Sequence, residues 1–382
     1  MSGLFEDTDA AGLSPLIKWP GGKEREIKYI LPRAPEKFVD YYEPFVGGGA
    51  VFAAIRARRY FINDRSAELA ALYRCVAGAD AEFFRCAELI AASWENMRRF
   101  VGRHLELIEW YAAFRNDELT EAAVTEKIAE FLRRNRSGIS AVLPADFPWH
   151  REVLHDEVRA NLIRKIKRMK TLEGQKHPLP VGDVCDNLAT AFFGALYMYY
   201  RRLYNDKELA LESPGPGSAL FLFIRNYAFS GMFRYNDDGD FNVPYGGISY
   251  NGKSLTSQLA YYRSPALRER LAATVIADLD FADFFVQYPP GKDDFVFLDP
   301  PYDSDFSTYA QNAFSHDDQR RLAEFLIEKC PAKWMLVIKY TDFIHSLYSK
   351  RGLNISSFDK TYSVSFMNRN NKDVSHLLIT NY

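Results

Sequence analysis

The sequence predicts an α/β fold, an open sheet with helices between its strands, and three patterns carry that prediction. Short apolar runs of strand length recur at both ends of the chain, at Phe38 to Glu43, Tyr60 to Asn63, Val275 to Ala277, Phe295 to Leu298, Trp334 to Lys339 and Ser375 to Thr380. Helical periodicity fills the intervals between them, as a sheet with crossover helices requires. Between about residue 75 and residue 270 the strand rhythm stops and helical pattern dominates. The expected division is therefore a sheet domain of residues 1–75 and 270–382 interrupted by a mainly helical domain of residues 76–269.

Local signals support these elements in turn. Ser315-x-x-Asp318 has the pattern of a capping box, and Leu322, Phe325 and Leu326 behind it form one buried stripe, so a helix leads away from the run at 295–298. Ser213-Pro214-Gly215-Pro216-Gly217 reads as a break within the helical segment. From Arg133 to Lys170, ten Lys and Arg stand against four Asp and Glu, with Trp149 and two histidines interleaved. A solvated helix face explains that run as well as a phosphate-contacting one does.

Composition bounds the function. With 382 residues, 47 % of them hydrophobic, the chain can bury two cores. The 48 Lys and Arg nearly balance 50 Asp and Glu, so any nucleic-acid affinity must come from local clustering. Cys75, Cys86, Cys185 and Cys330 show no CxxC spacing, which argues against a disulfide framework and against a zinc site and fits a reducing cytoplasm. No apolar run approaches bilayer length, so a membrane role is not expected.

Four constellations carry chemistry. Asp299-Pro300-Pro301-Tyr302 directly follows the run at 295–298. Two prolines cannot donate to a ladder and force the chain out of the sheet, leaving acceptor carbonyls beside a carboxylate and a phenol ring. Those groups suit work on a planar base, and a proline-rich turn after a buried strand is the alternative. Tyr41-Tyr42-Glu43-Pro44-Phe45-Val46-Gly47-Gly48-Gly49 is a strand running into a glycine turn, where a ligand can approach the backbone closely, although the third glycine of a dinucleotide fingerprint is missing. Asn63-Asp64 ends the next strand, where an acidic side chain can hold ribose hydroxyls; a solvent-facing loop aspartate is the alternative. Lys18-Trp19-Pro20-Gly21-Gly22-Lys23 combines a stacking ring, a tight turn and two cations. The fourth is Phe229-Ser230-Gly231-Met232-Phe233-Arg234-Tyr235-Asn236, followed by Phe241-Asn242-Val243-Pro244-Tyr245.

Taken in order along nearly the whole chain, these blocks closely resemble the DNA adenine methylase (Dam) family. The matching parts are Lys-Trp-x-Gly-Gly-Lys, Glu-Pro-Phe-x-Gly-x-Gly, an acidic strand end, Arg-Tyr-Asn with Phe-Asn-Val-Pro, and Asp-Pro-Pro-Tyr. Arg369-Asn370-Asn371 and the final Leu378-Ile379-Thr380-Asn381-Tyr382 are similar to the family's ending. The resemblance implies a Rossmann-like S-adenosylmethionine-dependent methyltransferase sheet with an inserted, mainly helical DNA-recognition domain, acting on double-stranded DNA in a bacterial, archaeal or phage setting. It implies S-adenosyl-L-methionine as cofactor, held by Trp19, Lys23, Glu43, Pro44, Phe45, Gly47, Gly49, Asp64, Asp278 and Asp299. Asp299, Pro300, Pro301 and Tyr302 would be catalytic, with Asp299 and the Pro300 carbonyl accepting from the target amine and Tyr302 stacking on a flipped adenine. Lys18, Phe229, Ser230, Met232, Arg234, Asn236 and Pro244 would contact DNA, with Arg234 reading a guanine. No metal is implied. The enzyme would be solitary or paired with a restriction endonuclease.

The chain departs from the enteric members at Phe229-Ser230, where they carry Tyr-Asn, and at Met232-Phe233, where they carry Leu-Cys. Ser230 cannot make the amide contacts of Asn, which leaves a GATC-like target open. The segment from about residue 112 to residue 190 is longer than in short members and has no assigned role. Two other readings fit parts of the pattern. Methylation of RNA or of a protein glutamine is disfavoured by the 252 positions from Gly47 to Asp299. A non-catalytic DNA-binding regulator would be expected to have lost the tetrapeptide or the glycine turn, and both are intact.

Overall fold

Seven strands form one mixed sheet in the order β3-β2-β1-β4-β5-β7-β6. The computed structural model describes residues 12–102, 104, 106–175, 177–206, 214–302, 314–349, 352–361 and 373–382; Arg369, Asn370 and Asn371 lie outside them. The strands are β1 (Asp40–Glu43), β2 (Arg59–Asn63), β3 (Thr274–Ala277), β4 (Phe295–Leu298), β5 (Lys333–Lys339), β6 (Asn354–Thr361) and β7 (Asp373–Thr380). β1 pairs in parallel with β2 and β4, β2 with β3, and β4 with β5. β7 runs antiparallel to both β5 and β6. Every residue of β4 is fully buried, which is why that strand reads as a continuous apolar run instead of an alternating one.

β6 has no counterpart among the six expected strands. Asn354-Ile-Ser-Ser-Phe lacks an apolar run because β6 is an edge strand, paired among the described residues with β7 alone. Polar residues at such an edge discourage pairing with other chains, and they also erase the pattern by which strands are recognised.

The chain divides into two compact units, residues 1–77 with 262–382 and residues 78–261. In the first, the strand order reverses between β1 and β4: from β1 the chain builds outward through β2 and β3, then returns to β4 on the other side. At such a switch point the loops leaving two neighbouring parallel strands diverge, and the crevice between their carboxyl ends is where open α/β sheets take ligands. The loops concerned begin at Pro44 and at Asp299. The helix His316–Glu324 that follows opens with the expected capping box between Ser315 and Asp318. Leu322 and Leu326 are buried, and the helix ends in a π-turn over Phe325–Lys329.

The second unit packs the helices Ala81–Val101, Val181–Asn205 and Pro214–Tyr227 around Trp94, whose ring lies 4.7 Å from Phe193 and 4.4 Å from Tyr227. Pro214-Gly215-Pro216-Gly217, read from sequence as a break, instead forms the first turn of a helix. Proline is suited to a first turn, where its missing N–H has no helical partner to lose. Gly215 is required there, since a Cβ would come within 2.7 Å of the Asp80 carboxylate and 2.8 Å of the Phe83 amide nitrogen.

The basic run from Arg133 to Lys170 is partly neutralised internally. Arg151 donates to the carbonyls of Ser140 (3.2 Å), Leu143 (3.0 Å), Pro144 and Ala145 (2.9 Å), Lys170 pairs with Asp117 at 2.5 Å, and Lys167 pairs with Glu121. Trp149 is buried. No described helix is long and apolar enough to cross a membrane.

Candidate active site

The two loops at the switch point are each fixed by hydrogen bonds. Asn63, at the end of β2 and 2 % exposed, donates from Nδ2 to the carbonyls of Pro44 and Leu279, each at 3.0 Å, and its Oδ1 accepts from the Leu279 amide at 2.8 Å. One buried amide thus ties together the chain leaving three neighbouring strands. Asp64 holds the glycine turn from beside it, accepting from the Gly47 amide at 3.0 Å and the Ser66 amide at 3.0 Å. Burial raises the Asp64 carboxyl, and the two amide donors work against that rise.

Gly47 and Gly49 have φ of +49° and +78°, a region L side chains rarely enter. Gly47 also lies under the Trp19 indole, where a Cβ would come within 2.8 Å of the ring. Gly48 faces backbone: its carbonyl accepts from Leu16 N–H at 2.8 Å, and an added Cβ would collide with the Ile17 carbonyl oxygen. Gly48→Ala should therefore distort the turn, costing about 2 kcal/mol or more of stability. Chemical denaturation would measure the loss, and wild-type stability in the variant would show that the turn accommodates a methyl group.

Trp19-Pro20-Gly21-Gly22 has the form of a type II turn, with proline second, glycine at φ +78° third, and the Gly22 amide bonded to the Trp19 carbonyl at 3.1 Å. The turn delivers Lys23 to the tetrapeptide. Lys23 is 3 % exposed, and its ammonium donates to the Gly21 carbonyl (3.0 Å), the Asp299 carboxylate and the Tyr302 hydroxyl (3.2 Å). The Tyr302 hydroxyl also lies 3.1 Å from His376 Nε2. Behind Asp299, the Pro301 carbonyl accepts from the side chain of the fully buried Gln319 at 2.9 Å, which fixes the course of the proline pair.

Glu43, the last residue of β1, is 2 % exposed and accepts from the Tyr41 hydroxyl at 2.7 Å. Burial pushes its carboxyl up to about 8, against the Tyr41 hydrogen bond, and the Asp299 charge pushes the same way. Two carboxyl groups near one crevice are thus kept in different states, Glu43 mostly neutral at pH 7 and Asp299 ion-paired. Phe45 packs edge-on against Phe314 at 5.5 Å.

Asp278, after β3, is engaged by Arg74 at 2.6 Å, and that guanidinium holds its carboxyl below the usual carboxylate range. Lys18 is exposed. The structure therefore gathers Lys23, Asp299 and Tyr302 into one cluster and puts Trp19 and Asp64 on the glycine turn, while the Asp278 carboxylate is held by Arg74. Sequence reasoning missed Asn63, Arg74, Gln319 and His376. Only Asn63, beside a flagged aspartate at a strand end, carried a local signal.

In the second unit, Phe229, Ser230, Met232, Arg234, Asn236 and Pro244 all fall on one hairpin-like loop. Isolated bridges pair Ala228 with Tyr245 and Tyr235 with Phe241, and the Phe229 amide donates to the Pro244 carbonyl at 2.9 Å. The tip is closed by Asn236, whose amide donates to the Asp240 carbonyl at 2.8 Å and whose side chain accepts from the Asp240 amide at 2.7 Å. Phe229 is 40 % exposed, and Ser230 adopts φ +53°. The Arg234 side chain is exposed, with Nε donating to the Asn242 side chain at 2.8 Å. At the loop's base Arg225 is 3 % exposed, donates to the Gly231 carbonyl at 2.9 Å and lies over the Phe233 ring at 4.8 Å. Burial brings it down to about 10, so it stays charged at neutral pH.

A carboxylate ion-paired with a buried lysine thus stands at the end of a central parallel strand, and a glycine turn leaves the neighbouring strand. The chain belongs to the D12 class N6 adenine-specific DNA methyltransferase family, whose match spans residues 19–173 and 190–364. It is 25 % identical over 376 residues to the type II methyltransferase M.CviBI of Paramecium bursaria Chlorella virus NC1A, covering 97 % of this chain and 100 % of that one. With the type II methyltransferase M1.LlaDCHI of Lactococcus lactis subsp. cremoris it shares 22 % identity over 97 % of this chain and 96 % of the relative. A DNA adenine methylase of Vibrio cholerae is 30 % identical over 194 residues, 48 % of this chain and 65 % of that protein.

Proposed function

We propose that this chain transfers a methyl group from S-adenosyl-L-methionine to the exocyclic N6 amine of an adenine turned out of duplex DNA at a specific word. The observation that carries the reading is the Lys23–Asp299–Tyr302 cluster beside the glycine turn. The residues present fit the cofactor by their placement: the turn at Gly47 and Gly49 leaves β1 at the switch point, packed under the Trp19 indole and fixed by Asp64 at the Gly47 amide, and Trp19 and Asp64 are themselves only partly buried. Trp19, Glu43, Pro44, Phe45, Gly47, Gly49 and Asp64 would hold it, and Asp278 would do so while paired with Arg74. When bound, the cofactor supplies an electrophilic methyl on sulfur.

What remains for the protein is positioning and electrostatics. An aromatic amine is a poor nucleophile because its lone pair is delocalised into the ring. Asp299 and the Pro300 carbonyl would accept from its two hydrogens, favouring the pyramidal nitrogen from which attack begins. The ammonium of Lys23 donates to the Asp299 carboxylate and orients it, and the Tyr302 ring would stack on the extruded base. Extrusion costs a few kcal/mol, which stacking offsets in part.

The loop from Phe229 to Pro244 supports a reading as the DNA-contacting element. Phe229 would enter the base stack and Arg234 would read a guanine, while Lys18 would contact DNA from the first unit. The enzyme would act alone or be paired with a cognate restriction endonuclease. Tritiated-methyl transfer from S-adenosylmethionine to duplex DNA, followed by long-read sequencing of DNA from an expressing host, tests the reading; label in cytosine or RNA, or none in DNA, would overturn it. Arg234→Ala is expected to relax discrimination at one base pair by about 1 to 3 kcal/mol, read as a degenerate position in the methylated word.

A further inference from the structure

We infer that His376 is a positioning residue for the transfer step, acting through the Tyr302 hydroxyl. The inference rests on the proposed role of the Asp299 cluster and adds a member that no sequence motif marks. His376 lies within β7, in register with Lys339 of β5 and Phe358 of β6, and is fully buried. Its imidazole stacks on the Phe358 ring at 5.8 Å and 26°, so two strands and a stacked ring fix its plane. Nε2 lies 3.1 Å from the Tyr302 hydroxyl, with the two rings edge-on at 5.5 Å and 70°.

The inventory of donors is consistent with one direction for these hydrogen bonds. The Lys23 ammonium can only donate, so the phenol oxygen accepts from it. The hydroxyl proton is then available to Nε2, which accepts in the neutral imidazole carrying its proton on Nδ1. Lys23 to Tyr302 to His376 is therefore a consistent donor chain. Two contacts on the Tyr302 oxygen, at 3.2 Å and 3.1 Å, bear on the orientation of its ring, and the second comes from the sheet itself. In the proposed function the orientation of that ring decides where the flipped base stops.

The test is steady-state methyl transfer with His376→Leu, His376→Gln and Tyr302→Phe, and the His376→Leu Tyr302→Phe double variant. His376→Leu should lower kcat about tenfold, the scale of one well-placed hydrogen bond, with KM for cofactor and duplex nearly unchanged. His376→Gln can accept from the same hydroxyl and should recover most of the loss. In the Tyr302→Phe background, His376→Leu should have almost no further effect, because the hydroxyl through which it acts is gone. Wild-type kcat in His376→Leu, an equal loss in both backgrounds, or a glutamine variant as slow as the leucine one would overturn the inference. If His376→Leu fails to fold, His376→Gln and His376→Gln Tyr302→Phe decide it: the inference requires glutamine to stay near the wild-type rate beside tyrosine and to be neutral beside phenylalanine. Failure of the underlying reading looks different, since Asp299→Asn would then turn over normally whatever stands at 376.

Discussion

Asp299→Asn is expected to abolish methyl transfer and to destabilise the fold, and the two losses have separate origins. Asparagine keeps the shape and one acceptor oxygen but removes the charge. Loss of one electrostatic contact at a reacting centre typically costs about 10²- to 10³-fold in kcat, so turnover should fall at least that far. Duplex binding should be nearly unaffected, because the residues proposed to hold the duplex outside the extruded base, Lys18 and the loop from Phe229 to Pro244, are unchanged. The stability loss comes from Lys23. With 3 % of it exposed, its ammonium would exchange the carboxylate for the neutral asparagine oxygen beside the Gly21 carbonyl and the Tyr302 hydroxyl. Breaking a buried pair on one side costs about 3 to 5 kcal/mol, and the Asp299 side chain, 18 % exposed, places this pair toward the lower end. A second substitution separates the effects: Lys23→Met combined with Asp299→Asn should restore much of the stability and none of the turnover. Denaturation and tritiated-methyl assays on the same preparations would show it, and near-normal turnover in Asp299→Asn would remove the residue from the reaction.

The resemblance to a methylase family was legible because its blocks are local. Lys-Trp-x-Gly-Gly-Lys, the glycine turn and Asp-Pro-Pro-Tyr are each set by backbone needs of a few consecutive residues, and the matched family agrees with them. Strands β1 to β5 and β7 were legible because burial on one or both faces concentrates apolar residues. What escaped detection depends on pairing across the chain. β6 is polar because it is an edge. His376 sits among Leu377, Leu378 and Ile379, where a buried histidine carries the same local pattern as an exposed one. Its meaning appears only when β7 brings it beside Tyr302, 74 positions earlier. The Arg74 partner of Asp278 is 204 positions away in sequence, so an aspartate at a strand end could not disclose that it is already paired. The Pro-Gly run misled for the opposite reason: locally it reads as a stop, yet the close approach of Gly215 to Asp80 and Phe83 suits a helix beginning there.

Glu43→Gln is expected to remove a slope from the pH dependence of stability. In the unfolded chain a glutamate titrates near its ordinary value of 4.5, whereas burial in the fold raises this one to about 8. Between those values the folded state holds a proton that the unfolded state has released, so stability falls as pH rises; it is fully present below the lower value and lost through the upper one. One proton corresponds to about 1.4 kcal/mol per pH unit, so from roughly pH 5 to roughly pH 7.5 the wild type should lose about 3 kcal/mol relative to the glutamine variant. Asp64, also raised by burial, slopes the same way in both proteins, and the lowered Asp40, Asp278 and Asp318 act in acid in both. The difference between the two curves therefore isolates Glu43. Parallel curves from urea denaturation across that range would mean the carboxyl is ionised in the fold. That outcome would matter for the chemistry, because an anionic Glu43 would share the Lys23 field with Asp299, whereas a neutral one leaves the ammonium to a single carboxylate. Environment divides two acids of one crevice into a proton-holding and a charge-holding member, and the pH slope is the measurement that reads which is which.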